Sequence, residues 1–132
     1  MENGKNYKLF TELEAWQAAR QYKIAILELV KQFPPIEKYR LGDQLIRASR
    51  SIASNIAEGY GRFTYKDQIH FCIQARGSLY ETMNHLIDAH DCGYISEELL
   101  EEYKGKAMEA GKILNGYISW LRKMITAKPQ TT

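Results

Sequence analysis

LGDQLIRASRSIASNIAEGYGRF, residues 41–63, carries two apolar lines at helical spacing and then breaks on two glycines. Leu41, Leu45, Ala48, Ile52 and Ile56 form the first line. Ile46, Ala53 and Ala57 form a second, about 100° round the helix. Together they cover an apolar arc near half the circumference, wider than the stripe of a simple surface helix. Such an arc predicts a helix central in a bundle, or one with a flank given to a subunit contact. Its alanines allow close approach by a neighbour. The opposite face is polar and basic: Arg40, Arg47, Arg50, Ser51 and Ser54.

The end of this stretch has two readings. Glycines beside Arg62 can form a nest of backbone N–H groups that holds an anion. The simpler reading is a C-cap at Gly59 followed by a tight interhelical turn. There is no Gly-Lys-Ser/Thr run and no strand before it, so it is not a Walker loop.

Upstream, Thr11-Glu12-Leu13-Glu14 reads as a capping box, with Phe10 placed as a hydrophobic staple. From there Ala15, Ala19, Tyr22, Ile26 and Val30 recur at helical spacing until Phe33-Pro34-Pro35, where proline forces Phe33 out of the helical region. Downstream, Thr64 is a cap with Asp67 three residues on. Ile69, Cys72, Ile73, Leu79, Tyr80, Met83, Leu86 and Ile87 follow along one face, and Gly93 sits where a helix ends. Ser96-Glu97-Glu98 opens a last helix, with Leu99, Tyr103, Ala110, Leu114, Tyr117 and Leu121 as its core line. The tail after Ala127 is expected to fray.

No segment reads as a strand. Helices over about 11–33, 41–59, 64–92 and 96–126, joined by short connections, predict an all-α fold. The architecture is an antiparallel up-down-up-down four-helix bundle spanning residues 1–132 as a single domain. The chain has 132 residues, 45% of them hydrophobic and 26% charged, enough for a real core. No apolar run reaches the roughly 20 residues that cross a bilayer. The opening MENGKNYKLF has no apolar signal core, so the expectation is a cytoplasmic location with no membrane partner. Cys72 and Cys92 have no metal spacing.

The net charge is +2 but unevenly distributed. Residues 38–66 carry six Lys/Arg against two acids, a net of +4, and residues 103–132 carry six bases against Glu109, a net of +5. Between them, residues 81–102 hold seven acids and no Lys or Arg. Such blocks suit a nucleic acid or a charged partner, or pairing between neighbouring faces. The candidate nucleic-acid contacts are Arg40, Arg47, Arg50, Arg62, Lys112, Arg122 and Lys123.

One cation breaks the apolar pattern. Arg76 lies on the wheel between Ile69, Tyr80 and Met83, and an unpaired buried guanidinium costs several kcal/mol. The expectation is a structural polar network with Glu58 and Glu81, joined by Asn55. His70, His85 and His90 do not pair at helical spacing, so no metal site is read. No nucleophile–base set can be named, and the Arg–His spacings are longer than in helical-bundle ribonucleases. The reading is non-enzymatic and without cofactor.

The strings LGDQLIRASRSIASNIAEGYGR, FCIQARGSLYET and LIDAHDCGYIS together resemble the bacterial four-helix-bundle proteins encoded in 23S rRNA intervening sequences. LEAWQAA and FPPIEKYRLGDQ fit as well, over roughly residues 9–125. The resemblance implies a protomer that assembles as a ring, commonly a homopentamer. It also implies kinship with the accessory protein of diversity-generating retroelements, a basic pentamer that binds nucleic acid and its reverse transcriptase. Asn55, Glu58, Gly59, Arg76, Ser78 and Glu81 match signature positions, which adds Ser78 to the expected polar network. The chain departs from the pattern at Gly42, where a Thr or Ser helix cap is common, and in being nearly neutral. The functional expectation is an oligomeric bundle binding RNA or DNA through a basic surface. The alternative is a scaffold that docks a protein partner, such as a reverse transcriptase, without touching nucleic acid.

Overall fold

The computed structural model describes residues 9–127, so the tail expected to fray lies outside the described residues. Four long helices and one short one follow in order: α1 (Glu14–Val30), α2 (Pro35–Lys38), α3 (Leu41–Tyr60), α4 (Tyr65–Asp91) and α5 (Glu97–Ala127). A single 3-10 turn, Phe10–Glu12, precedes them.

Local signals fix several ends as read. The Thr64 hydroxyl accepts from the Asp67 N–H at 3.1 Å and starts α4. The Ser96 hydroxyl does the same for Leu99 at the start of α5. At the other end of α4, Tyr94 N–H reaches Ala89 O at 2.8 Å and Gly93 N–H reaches His90 O at 2.9 Å. This Schellman closure needs a left-handed residue, and Gly93 supplies it with φ +80°.

Three expectations are corrected. The capping box at Thr11 does not form. Leu13 is the N-cap, with extended backbone and no side-chain bond, and its side chain is buried. Burial of Leu13 therefore outweighs capping by the Thr11 hydroxyl, and α1 starts later than read. Phe10 still packs back onto the helix, edge-on to Trp16 at 5.3 Å.

The second correction is Gly59. It does not end α3, which runs on to Tyr60. Gly59 is buried where α3 meets α4, and a Cβ there would stand 2.8 Å from Phe71 Cβ. The helix stops two residues later at Gly61, its C-cap, whose φ of −78° is ordinary. Gly42 is likewise not a cap: Arg40 is the N-cap of α3, and Gly42 lies buried inside the helix. A Cβ there would meet Val30 Cγ1 at 2.8 Å and the Glu37 carbonyl at 3.1 Å, so the glycine lets α3 turn tightly over α1 and α2.

The third correction is the face of α4. Cys72, Ala75, Leu79, Thr82, Leu86 and Ala89 are buried, whereas Ile73, Tyr80 and Ile87 are exposed. The inner face is made of smaller residues than the sequence reading chose. The line read for α1 and the first line read for α3 are buried throughout, whereas in the second α3 line only Ala53 is buried and Ile46 and Ala57 are half-buried.

The helices pack around a square in chain order, α1 against α3, α3 against α4, α4 against α5 and α5 back against α1. This is the antiparallel four-helix bundle. The α3–α4 seam is the most extensive and the α1–α5 seam the least. At the centre, Tyr22 Oη and Thr82 Oγ1 bridge the α1–α4 diagonal at 2.8 Å. Among the described residues no helix is long and apolar enough to cross a membrane.

Candidate nucleic-acid interface

The basic face of α3 is partly neutralised by its own neighbours. Arg47 Nε lies 3.1 Å from Asp43 Oδ2, and Arg40 Nη1 lies 3.8 Å from Glu37 Oε2. Both arginines are exposed, and the Arg47–Asp43 pair is exposed and weak, so the guanidiniums stay available to a polyanion. Arg50 is exposed and has no ion pair among the described residues. Ser51 does not belong to this face. Ser78 Oγ donates to Ser51 Oγ at 2.9 Å, and Asn55 Nδ2 reaches Ser51 O at 2.9 Å. Ser51 thus ties α3 to α4, and Ser54 alone remains beside the arginines as an exposed hydroxyl.

The expected polar network is corrected in the same region. Asn55 and Ser78 do meet, through Ser51. Glu58 is exposed and pairs with Arg62 at 3.2 Å. Glu81 is exposed and faces His85 at 3.3 Å. Arg76 is only partly buried and donates from Nη1 to Asn115 Oδ1 of α5 at 3.0 Å. It lies at the edge of the α4–α5 seam, where its head reaches a neutral acceptor and water, so no carboxylate is required.

Antiparallel packing decides which cations meet. α3 and α5 occupy opposite corners, so Arg40, Arg47 and Arg50 point away from the basic residues of α5. Three of the candidates, however, lie at the same end of the bundle, where α3 turns into α4. Arg62 sits on that turn, and Arg122 and Lys123 lie in the last turns of α5. The ends are tied by Tyr65 of α4 against Trp120 of α5, edge-on at 6.2 Å, with Tyr117 stacked on Trp120 at 6.1 Å. Lys112 stands apart, on the rim of the groove between α1 and α5. The acidic block 81–102 runs to the opposite end, where Lys31, Arg40, Lys104 and Lys106 each pair with a carboxylate.

Two residues at the basic end escaped the sequence reading. Phe63 is 77% exposed, and Lys66 is exposed in the first turn of α4. The signal lay at the fourth residue of α4. A Phe before an N-cap normally staples onto an apolar residue there, but that position is Gln68. Its side chain donates instead to the Arg62 carbonyl at 3.2 Å, and Phe63 is left in water.

Two apolar surfaces remain. Ile73, Tyr80 and Ile87, seven residues apart, form an exposed stripe along α4. On the other side the α1–α5 seam holds adjoining hollows of about 370, 570 and 520 Å³. Small residues create them, among them Ala18, Ala25, Gly105 and Gly116. Deep in the core, burial pushes the Cys72 thiol and the Tyr22 phenol each up to about 12. Both are inert at neutral pH. No group of three His, Cys, Asp or Glu among the described residues is placed to hold a metal.

Residues 11–116 match the 23S rRNA-intervening sequence protein family. The chain belongs to that family. A solved family-like structure is a protein of unknown function from the S23 ribosomal protein family of Bacteroides thetaiotaomicron, 23% identical. The similarity covers 80% of this chain and 95% of that one, with a TM-score of 0.72. At that identity it establishes a shared fold for the family member described here. No curated protein matches the chain.

Proposed function

We propose that this protein is a non-enzymatic, oligomeric bundle that binds RNA or DNA through its basic surfaces. The observation that carries the reading is the placement of Arg62, Arg122 and Lys123 at the same end of the bundle, with the acidic block 81–102 running to the other. Arg50, with Arg47 and Arg40 beside it, offers a second contact on α3. So few charges give weak phosphate binding by a single chain. Several copies on one strand multiply it through effective concentration.

The exposed α4 stripe and the open α1–α5 groove are two different surfaces of one chain. A contact of one with the other is head-to-tail and closes into a ring when the rotation permits. Glu81 and Asp88 stand beside the stripe, while the groove is lined by Arg20, Lys106 and Lys112 together with Glu14 and Glu109.

The test is fluorescence anisotropy of a labelled RNA with rising salt. The expected result is binding at low salt that weakens as salt rises, and a smaller salt slope for Arg122→Ala with Lys123→Ala. Absence of binding at low salt would sink the reading. The open groove favours a second reading, a scaffold that seats a helix of a protein partner such as a reverse transcriptase. Recovery of that partner by a variant that has lost RNA binding would support it.

A further inference from the structure

The turn between α3 and α4 holds an aromatic ring out in water and keeps it there. Phe63 is 77% exposed, yet the backbone on either side of it is fixed. Arg62 is clamped by Glu58 at 3.2 Å, and its guanidinium lies over the Phe71 ring at 4.6 Å. The Arg62 carbonyl accepts from Gln68, and Thr64 caps the helix that follows. A side chain on so constrained a turn loses little further freedom when something covers it.

Its surroundings are basic. Lys66 lies three residues on, in the first turn of α4, and Arg122 and Lys123 reach the same end through the Tyr65–Trp120 contact. None of the three has an ion pair among the described residues. The acids of this end are Glu58, engaged by Arg62, the exposed Asp67, whose backbone N–H binds Thr64, and Glu12 and Glu14 at the start of α1, where Glu14 lines the groove beside Trp120. Tyr39, also highly exposed, lies between Lys38 and Arg40 at the other end of the bundle, to which the acidic block runs and where Arg40 is paired with Glu37.

We infer that Phe63 is a stacking platform for an unpaired base, with Lys66, Arg122 and Lys123 holding the phosphates on either side of it. The inference rests on the nucleic-acid reading above and adds a substrate class to it. A ring flanked by cations suits single strands because every unpaired base has a free face to stack. In a duplex those faces are already covered, so Phe63 discriminates for single-stranded over double-stranded nucleic acid.

The experiment is anisotropy at low salt with a short uridine-only RNA strand and with a blunt RNA duplex. F63A, checked for unchanged helicity, is expected to lose about tenfold in affinity for the strand, as removal of one base–aromatic stack does. Its affinity for the duplex is expected to stay the same, and F63W is expected to retain strand binding. Equal strand affinity for F63A and the unaltered protein overturns the inference. If R122A with K123A still weakens binding in that case, the basic-end reading survives alone. Failure of the unaltered protein to bind either probe removes both. A fall in native mass for F63A with strand affinity intact assigns Phe63 to contact between copies and overturns the inference as well.

Discussion

Gly59 of α3 lies so close to Phe71 of α4 that a methyl group at position 59 would sit 2.8 Å from Phe71 Cβ and 3.2 Å from the Gln68 carbonyl. Neither atom belongs to a flexible side-chain end, so neither can rotate away. Gly59→Ala gains about 1 kcal/mol of helix propensity and sets it against overpacking of about 1–3 kcal/mol. The expected outcome is a net loss of stability, read as a lower Tm. A variant more stable than the parent would show that α3 and α4 can part without cost.

Glu58→Gln tests the opposite case. The carboxylate is exposed and its partner is Arg62, on the surface, so the substitution is expected to shift stability by no more than about 0.5 kcal/mol in a denaturant titration. A loss several times larger would mean that Glu58 compensates a buried charge after all.

Thr82 passes its own proton to the Leu79 carbonyl at 2.6 Å, so Tyr22 is the donor in the 2.8 Å contact between the two hydroxyls. Thr82→Val strands the buried phenol and is expected to cost about 1–3 kcal/mol. Adding Tyr22→Phe removes the stranded group, so the double variant should cost less than the sum of the singles. Simple additivity in the double-mutant cycle would contradict the bond.

Alkaline pH should unfold the protein through the same core. Tyr22 moves from the ordinary 10.0 to about 12 on folding, and Cys72 from 9.0 to about 12, both by burial. The unfolded chain gives up these protons first, so the folded state binds more of them in between. Their contribution is fully present below pH 9 and is lost as pH rises towards 12. The slope is about 1.4 kcal/mol per pH unit for each group. Stability measured from pH 8 to pH 11 should fall more gently in Cys72→Ala, relative to its own value at pH 8.

Tyr80→Glu places a charge in the exposed stripe on α4. The expected result is a lower native mass with unchanged helicity. A mass that does not change would exclude the stripe from contact between copies.

The fold was legible because its decisive signals are local. Thr64, Ser96 and Gly93 act on backbone within a turn of themselves, and each does what its residue type suggests. The misreadings come from residues whose role depends on a distant neighbour. A glycine that ends a helix and one that admits another helix look the same in sequence, and only the approach of Phe71 separates them for Gly59. On α4, large side chains drew the reading towards Ile73, Tyr80 and Ile87, while the buried face is lined by Ala75, Thr82 and Ala89. That rotation of the wheel also placed Arg76 deeper than it lies. For the candidate site, the basic residues were visible but their grouping was not. That Arg122 and Lys123 share an end with Arg62 depends on the alternating direction of helices far apart in sequence.

The four seams of this square are unequal, and that sets how the molecule breathes. The α1–α5 seam is hollowed by small residues, and Tyr103 Oη donating to the Ala25 carbonyl at 3.1 Å spans it. The α3–α4 seam is the most extensive, and Gly59 admits Phe71 closely within it. Partial opening therefore releases α1 while the α3–α4 hairpin stays closed. Amide protons should be lost first along α1 and last around Ile52 and Leu79, so that the bundle sheds a side long before it loses its centre.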